Sequence, residues 1–123
     1  MIGYVTIGTR DLMRAAKFFD VLLAELGGSR FMETEKYIAW SAGPGMAGLA
    51  VTYPYDGGDV RIGNGVMVGL SALDREHVDR VYHRAIRLGA ADEGVAGPRG
   101  YGFYAGYFRD LDGNKFNVHY LGS

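Results

Sequence analysis

The chain has 123 residues, 48% of them hydrophobic and 22% charged, with a net charge of −1. That length suits one domain able to bury roughly two-thirds of its unfolded surface. The charge balance excludes the basic footprint of a nucleic-acid or anionic-membrane binder, and the absence of cysteine excludes disulfides, thiolate nucleophiles and thiolate metal sites. No apolar run approaches the roughly 20 residues of a membrane span, and no basic-then-apolar leader opens the chain, so a cytoplasmic protein is expected.

Residues 3–9, GYVTIGT, alternate as a strand, with Val5 and Ile7 on one face and Tyr4 and Thr6 on the other. Asp11 then serves as a helix N-cap, and Leu12, Ala15, Ala16, Phe19, Leu22, Leu23 and Leu26 form a helical stripe closed by Gly27 or Gly28. Three short strand candidates follow: SRFMETEK, YIAWSA and GLAVTYP. The Gly- and Asp-rich stretch YPYDGGDVRIGNG is the natural seam. From residue 65, GVMVGLSA reads as a strand again, with Val66, Val68 and Leu70 on one face and Met67 and Gly69 on the other. Asp74 caps a second helix with Val78, Val81, Tyr82, Ala85 and Leu88 inward, which leaves His77 and His83 on its solvated side.

A shift of 63 lays Val5 on Val68, Ile7 on Leu70, Asp11 on Asp74 and Phe19 on Tyr82. The chain therefore repeats itself. After the second helix come ADEGVA, YGFYAGYFRD and KFNVHYL, so each half reads β-α-β-β-β. The expected fold class is α+β, two βαβββ modules whose strands join into one strongly curved mixed sheet with the helices outside. The modules span residues 1–55 and 65–123, with 56–64 as linker, in a single domain.

The doubled βαβββ order, the helix DLMRAAKFFDVLLAELG and the terminal hairpin FRDLDGNKFNV together resemble the vicinal oxygen chelate superfamily, the fold of glyoxalase I, extradiol dioxygenases and bleomycin-resistance proteins. In metal-dependent members, His or Glu ligands sit on the first and last strands of each half and hold a divalent ion that acts as a Lewis acid. The resemblance puts Tyr4, Met67 and Asn117 at those positions, and the stretch from Gly43 to Tyr55 offers no His, Glu, Asp or Cys for a fourth. A neutral Tyr-Met-Asn set is a poor home for a hard cation, so no metal or other cofactor is expected. Family members of this length commonly pair as homodimers, which is the expectation here too.

The last strand carries Lys115, Asn117 and His119 on one face and Phe116, Val118 and Tyr120 on the other. The polar stripe reads as one side of a ligand cavity. Its candidate walls are Tyr4, Thr6, Trp40, Met67, Tyr101, Phe103, Tyr107, Asn117 and His119, an aromatic lining with a few convergent polar groups. A small, partly aromatic or apolar ligand bound without metal is the expected function. The alternative is a glyoxalase-like lyase, isomerase or dioxygenase with a rebuilt metal site, or metal-free acid/base chemistry by Tyr4 and His119. A third reading fills the cavity with the chain's own aromatic side chains. Two other motifs mislead. RGYGFYAG imitates an RNA-recognition signature but lacks the closing aromatic and the chain that fold needs after it. DLDGN imitates a calcium loop, yet Lys115 and Leu121 stand where that loop needs Gly and Glu.

Overall fold

The computed structural model describes residues 1–122 and contains two helices and eight strands. Strand β1 (Tyr4–Gly8) leads into helix α1 (Leu12–Ala24), then β2 (Ser29–Glu33), β3 (Tyr37–Ser41) and β4 (Gly48–Thr52). The second half follows with β5 (Val68–Ser71), α2 (Arg75–Arg87), β6 (Ala91–Pro98), β7 (Phe103–Arg109) and β8 (Lys115–Leu121). Shifting both bounds of α1 by 63 lands on both bounds of α2, so the sequence repeat is a structural one. Contacts divide the chain into two compact units, Met1–Arg61 and a second beginning at Ile62. No helix among the described residues is long and apolar enough to cross a membrane.

The strands pair within each half. The first sheet has the order β1-β4-β3-β2 and the second β5-β8-β7-β6, each with one parallel pair and two antiparallel pairs. The expected α+β class and βαβββ order hold, but the hydrogen bonds build two four-stranded sheets rather than one continuous sheet. The same device starts both helices: the Asp11 carboxylate accepts the Arg14 N–H at 3.1 Å, and the Asp74 carboxylate accepts the His77 N–H at 2.7 Å. Gly27 and Gly89, with φ of 80° and 104°, end them in the left-handed region that an L side chain resists.

In the first unit, Leu12, Ala15, Ala16, Phe19, Leu22 and Leu23 of α1 are buried, and so are Ile7, Ile38, Trp40, Leu49 and Val51 of the sheet. Trp40 therefore belongs to this core and not to a ligand wall, a correction to the sequence reading. Its ring lies 5.8 Å from that of Phe19, and its indole N–H donates to Asp20 at 2.9 Å. Asp20 also receives both arms of the Arg30 guanidinium, at 2.9 and 2.7 Å, and these bonds hold its carboxyl below the usual range.

In the second unit, Val78, Val81, Tyr82 and Ala85 of α2 and Phe108, Phe116 and Val118 of the sheet are fully or nearly fully buried. His77 is buried as well, contrary to the solvated position expected for it. Its Nδ1 accepts the Leu73 N–H at 3.0 Å, which satisfies a donor that the start of the helix leaves free. Tyr82 lies against Gly106 of β7, where a Cβ would come within 2.7 Å of the ring, and its hydroxyl donates to Asp92 at 2.7 Å. Burial and that bond push the Tyr82 hydroxyl up to about 12.

Candidate functional site

The terminal hairpin sets which side chains reach the helix-free face of the second sheet. Asp110 is buried at its turn, with Oδ1 accepting the N–H groups of Asp112 and Asn114 at 2.9 Å each and Oδ2 accepting the Asn114 amide at 2.9 Å. Gly113 takes the left-handed step at φ 98°, so the loop is the turn its composition indicates. The turn fixes the register as Arg109 opposite Lys115, Tyr107 opposite Asn117, Ala105 opposite His119 and Phe103 opposite Leu121. Because successive residues alternate, a slip of one would send this set to the core and Phe108, Phe116 and Val118 to the outside. The buried phenylalanines make that slip prohibitive.

On this face Asn117 is buried at 4% exposure, and its Oδ1 lies 2.9 Å from Nδ1 of His119. A carbonyl oxygen can only accept, so Nδ1 carries the proton and Nε2 presents a lone pair. The imidazole stacks on Phe103, with 5.5 Å between centroids and 22° between planes. Burial pushes the pKa of His119 below its ordinary 6.5, which favours the neutral ring. Gly69 of β5 pairs with Asn117, and a Cβ there would lie 3.1 Å from Asn117 Oδ1 and 3.2 Å from His119 Cε1. The absence of a side chain at residue 69 is what gives the Asn-His pair its room.

One strand-pair step away, Tyr107 carries two cations near its ring. Arg99 lies with its guanidinium carbon 5.4 Å from the centroid, and Lys115 with its ammonium at 5.9 Å. Arg99 is held there by donating to the Val95 carbonyl at 2.6 Å. Arg109 is different, since its Nε pairs with Glu93 at 3.1 Å.

Phe103, Tyr107, Asn117 and His119, four of the nine expected wall residues, thus share one face. Tyr4 and Thr6 are exposed on β1 of the first unit, on the side of that strand opposite Ile7. Met67 falls just before β5 and is 44% exposed. Tyr101 sits fully exposed in the β6–β7 turn at φ 56°, between two positive-φ glycines, outside the strand that carries Phe103 and Tyr107. Reasoning from the sequence missed Arg99, which the β6–β7 hairpin folds back over Tyr107, and the permissive role of Gly69. The first unit has an open cleft of about 380 Å³ at the end of its β2–β3 strands, lined by residues that include Ser29, Phe31, Ser41 and Met46.

The donor set does not fit a family-type metal. Among the described residues no three His, Cys, Asp or Glu side chains come together, and the Oδ1 of Asn117 is already committed to His119. The family model for the glyoxalase/bleomycin resistance protein/dioxygenase superfamily matches residues 1–118. The chain belongs to that superfamily. The vicinal oxygen chelate resemblance seen in the helix and hairpin motifs is thereby borne out. Among solved structures, the chain is similar to a glyoxalase/bleomycin resistance protein from Albidiferax ferrireducens T118, with a TM-score of 0.91, 29% identity and 99% of both chains covered. A glyoxalase-related enzyme from Fulvimarina pelagi matches at a TM-score of 0.78 and 19% identity over 98% of this chain and 87% of that one. A family enzyme from Burkholderia phytofirmans PsJN matches at 0.79 and 17% over 98% of each. The latter two are likenesses of fold alone. No curated protein matches. The superfamily unites binding proteins with several enzyme classes, so activity has to be argued from this chain's own site.

Proposed function

We propose that this member binds a small, flat, partly aromatic molecule on the helix-free face of its second sheet, without a resident divalent ion. The observation that carries the reading is the His119 cluster. A neutral imidazole is held in one tautomer by Asn117 and stacked on Phe103, and it offers Nε2 as an acceptor on the sheet face that also carries the half-buried ring of Tyr107. Aromatic surface with one or two oriented polar groups is the common composition of a small-molecule site. Gly69 supports the same reading, because a residue that keeps a polar pair unobstructed has no packing value of its own.

The test is amide chemical-shift mapping with two probes offered in turn, 2-naphthylmethanol and 2-naphthoate, alongside metal uptake measured after stripping and dialysis against Zn, Ni, Mn and Fe(II). The expected result is saturable shifts at residues 103, 107, 117 and 119 with at least one probe, and metal far below one ion per chain. Silence from both probes at millimolar concentration overturns the reading. So does one tightly held ion per chain that is lost in His119→Ala.

A further inference from the structure

The cations around Tyr107 have no assigned task. Arg99 and Lys115 both lie within 6 Å of its ring centroid, and among the described residues neither is paired with a carboxylate. Glu93, on the neighbouring strand β6, is engaged by Arg109. Asp92 is turned to the other side, where it accepts from Tyr82. Asp110 is closed inside its turn, accepting from Asp112 and Asn114. Glu93, Asp92 and Asp110 are thus each engaged elsewhere, and none of them pairs with Arg99 or Lys115. The Arg99 guanidinium lies by an aromatic ring and donates to the Val95 carbonyl at 2.6 Å and the Pro98 carbonyl at 3.4 Å, which leaves three of its five N–H bonds for a ligand.

We infer that the ligand is an anion: a flat aromatic carboxylate whose carboxyl group is held by Lys115 and Arg99 beside Tyr107 and whose ring system runs towards Phe103 and His119. The inference rests on the binding role proposed above and adds the charge of the ligand. The spacing suits such a molecule. The Tyr107–Asn117 pair and the Ala105–His119 pair are two residues apart along the strands, about 7 Å. That is the scale of a substituted one- or two-ring acid. Arg and Lys together supply charge-assisted donors to both oxygens, and the acceptor at His119 Nε2 favours a ring hydroxyl or N–H at the far end.

The test compares 2-naphthoate with the neutral 2-naphthylmethanol, which keeps the rings and replaces the carboxylate. Affinities come from chemical-shift titrations of the wild type, Lys115→Gln, Arg99→Gln and the double variant, each checked for native amide dispersion. We expect the acid to bind at least about tenfold more tightly than the alcohol, and the double variant to abolish that preference. Raising salt from 0.05 to 0.5 M should narrow the gap, as screening of two partly exposed cations requires. Equal affinity of acid and alcohol, or a preference that survives both substitutions, overturns the anionic assignment and leaves the binding role standing. No shift with either probe removes both.

Discussion

Gly69→Val separates the site from the fold. Glycine within a strand is unfavourable, and valine is among the best strand formers, so the substitution by itself should stabilise β5 by about 1 kcal/mol. Against this stands the space it fills. A Cβ at residue 69 already lies 3.1 Å from Asn117 Oδ1 and 3.2 Å from His119 Cε1, closer than ordinary contact, and two further methyl groups add to that crowding. Asn117 is buried and fixed, whereas His119 is only partly covered, so the imidazole is the group that swings away. Losing one Asn-His hydrogen bond costs about 1 kcal/mol, and the Phe103–His119 stacking adds about 0.5 to 1 kcal/mol more. The terms nearly cancel, so the denaturation free energy should change by less than about 1 kcal/mol. The tautomer should not survive. Long-range ¹⁵N–¹H spectra of the imidazole should show a protonated Nδ1 and bare Nε2 in the wild type, with that preference lost in Gly69→Val. Retention of the wild-type pattern would refute the account, because it would mean the space at residue 69 does not control the pair.

Two further outcomes follow from the same unit. Gly106→Ala places a methyl group 2.7 Å from the Tyr82 ring, which the bond to Asp92 keeps from tilting, so overpacking should destabilise the protein by about 2 kcal/mol. Chemical denaturation checks this, and the penalty should vanish in a Tyr82→Ala background. His119 adds a pH term: its folded pKa lies below the unfolded value of 6.5, so its contribution is intact above 6.5 and is lost as pH falls through the folded value. Relative to His119→Phe, the wild type should therefore lose stability between pH 7.5 and 5, and parallel denaturation profiles would contradict it.

The doubled module was legible because it depends on short-range rules. Caps at Asp11 and Asp74 and a helical stripe in each half repeat at a fixed offset, and no tertiary information is needed to see them. The face of β8 was legible too, since Phe116 and Val118 against Asn117 and His119 is a clean period of two. Trp40 was not. Its strand is apolar on both faces, so alternation cannot rank Ile38 and Trp40 against Tyr37 and Ala39, and the choice is made by Phe19 and Asp20 on α1. Tyr101 failed for another reason: flanking glycines let the turn take it at positive φ and out of the strand. His77 lies next to the apolar stripe of α2, and the imidazole goes in where its Nδ1 accepts the Leu73 N–H. Arg99 comes to Tyr107 through a hairpin, a contact between residues eight apart that no local pattern announces.

What stands at residue 117 ties the chemistry of the face together. The family resemblance implies a metal-binding carboxylate there, and a carboxylate 2.9 Å from an imidazole would favour the imidazolium and add a negative charge beside Lys115. Asparagine keeps the shape and the hydrogen bond but supplies no charge. The imidazole consequently stays neutral with Nε2 open, and the cations near Tyr107 have no fixed counter-ion within the site. Asn117→Asp should therefore act at two points. It should raise the His119 pKa, read directly by NMR titration, and it should weaken 2-naphthoate more than 2-naphthylmethanol, because the new carboxylate competes for the same cations. A raised pKa with the acid's advantage unchanged would mean that Lys115 and Arg99 do not meet the ligand. That result would confine the anionic assignment's error to those two residues, since the imidazole would have reported the new charge correctly.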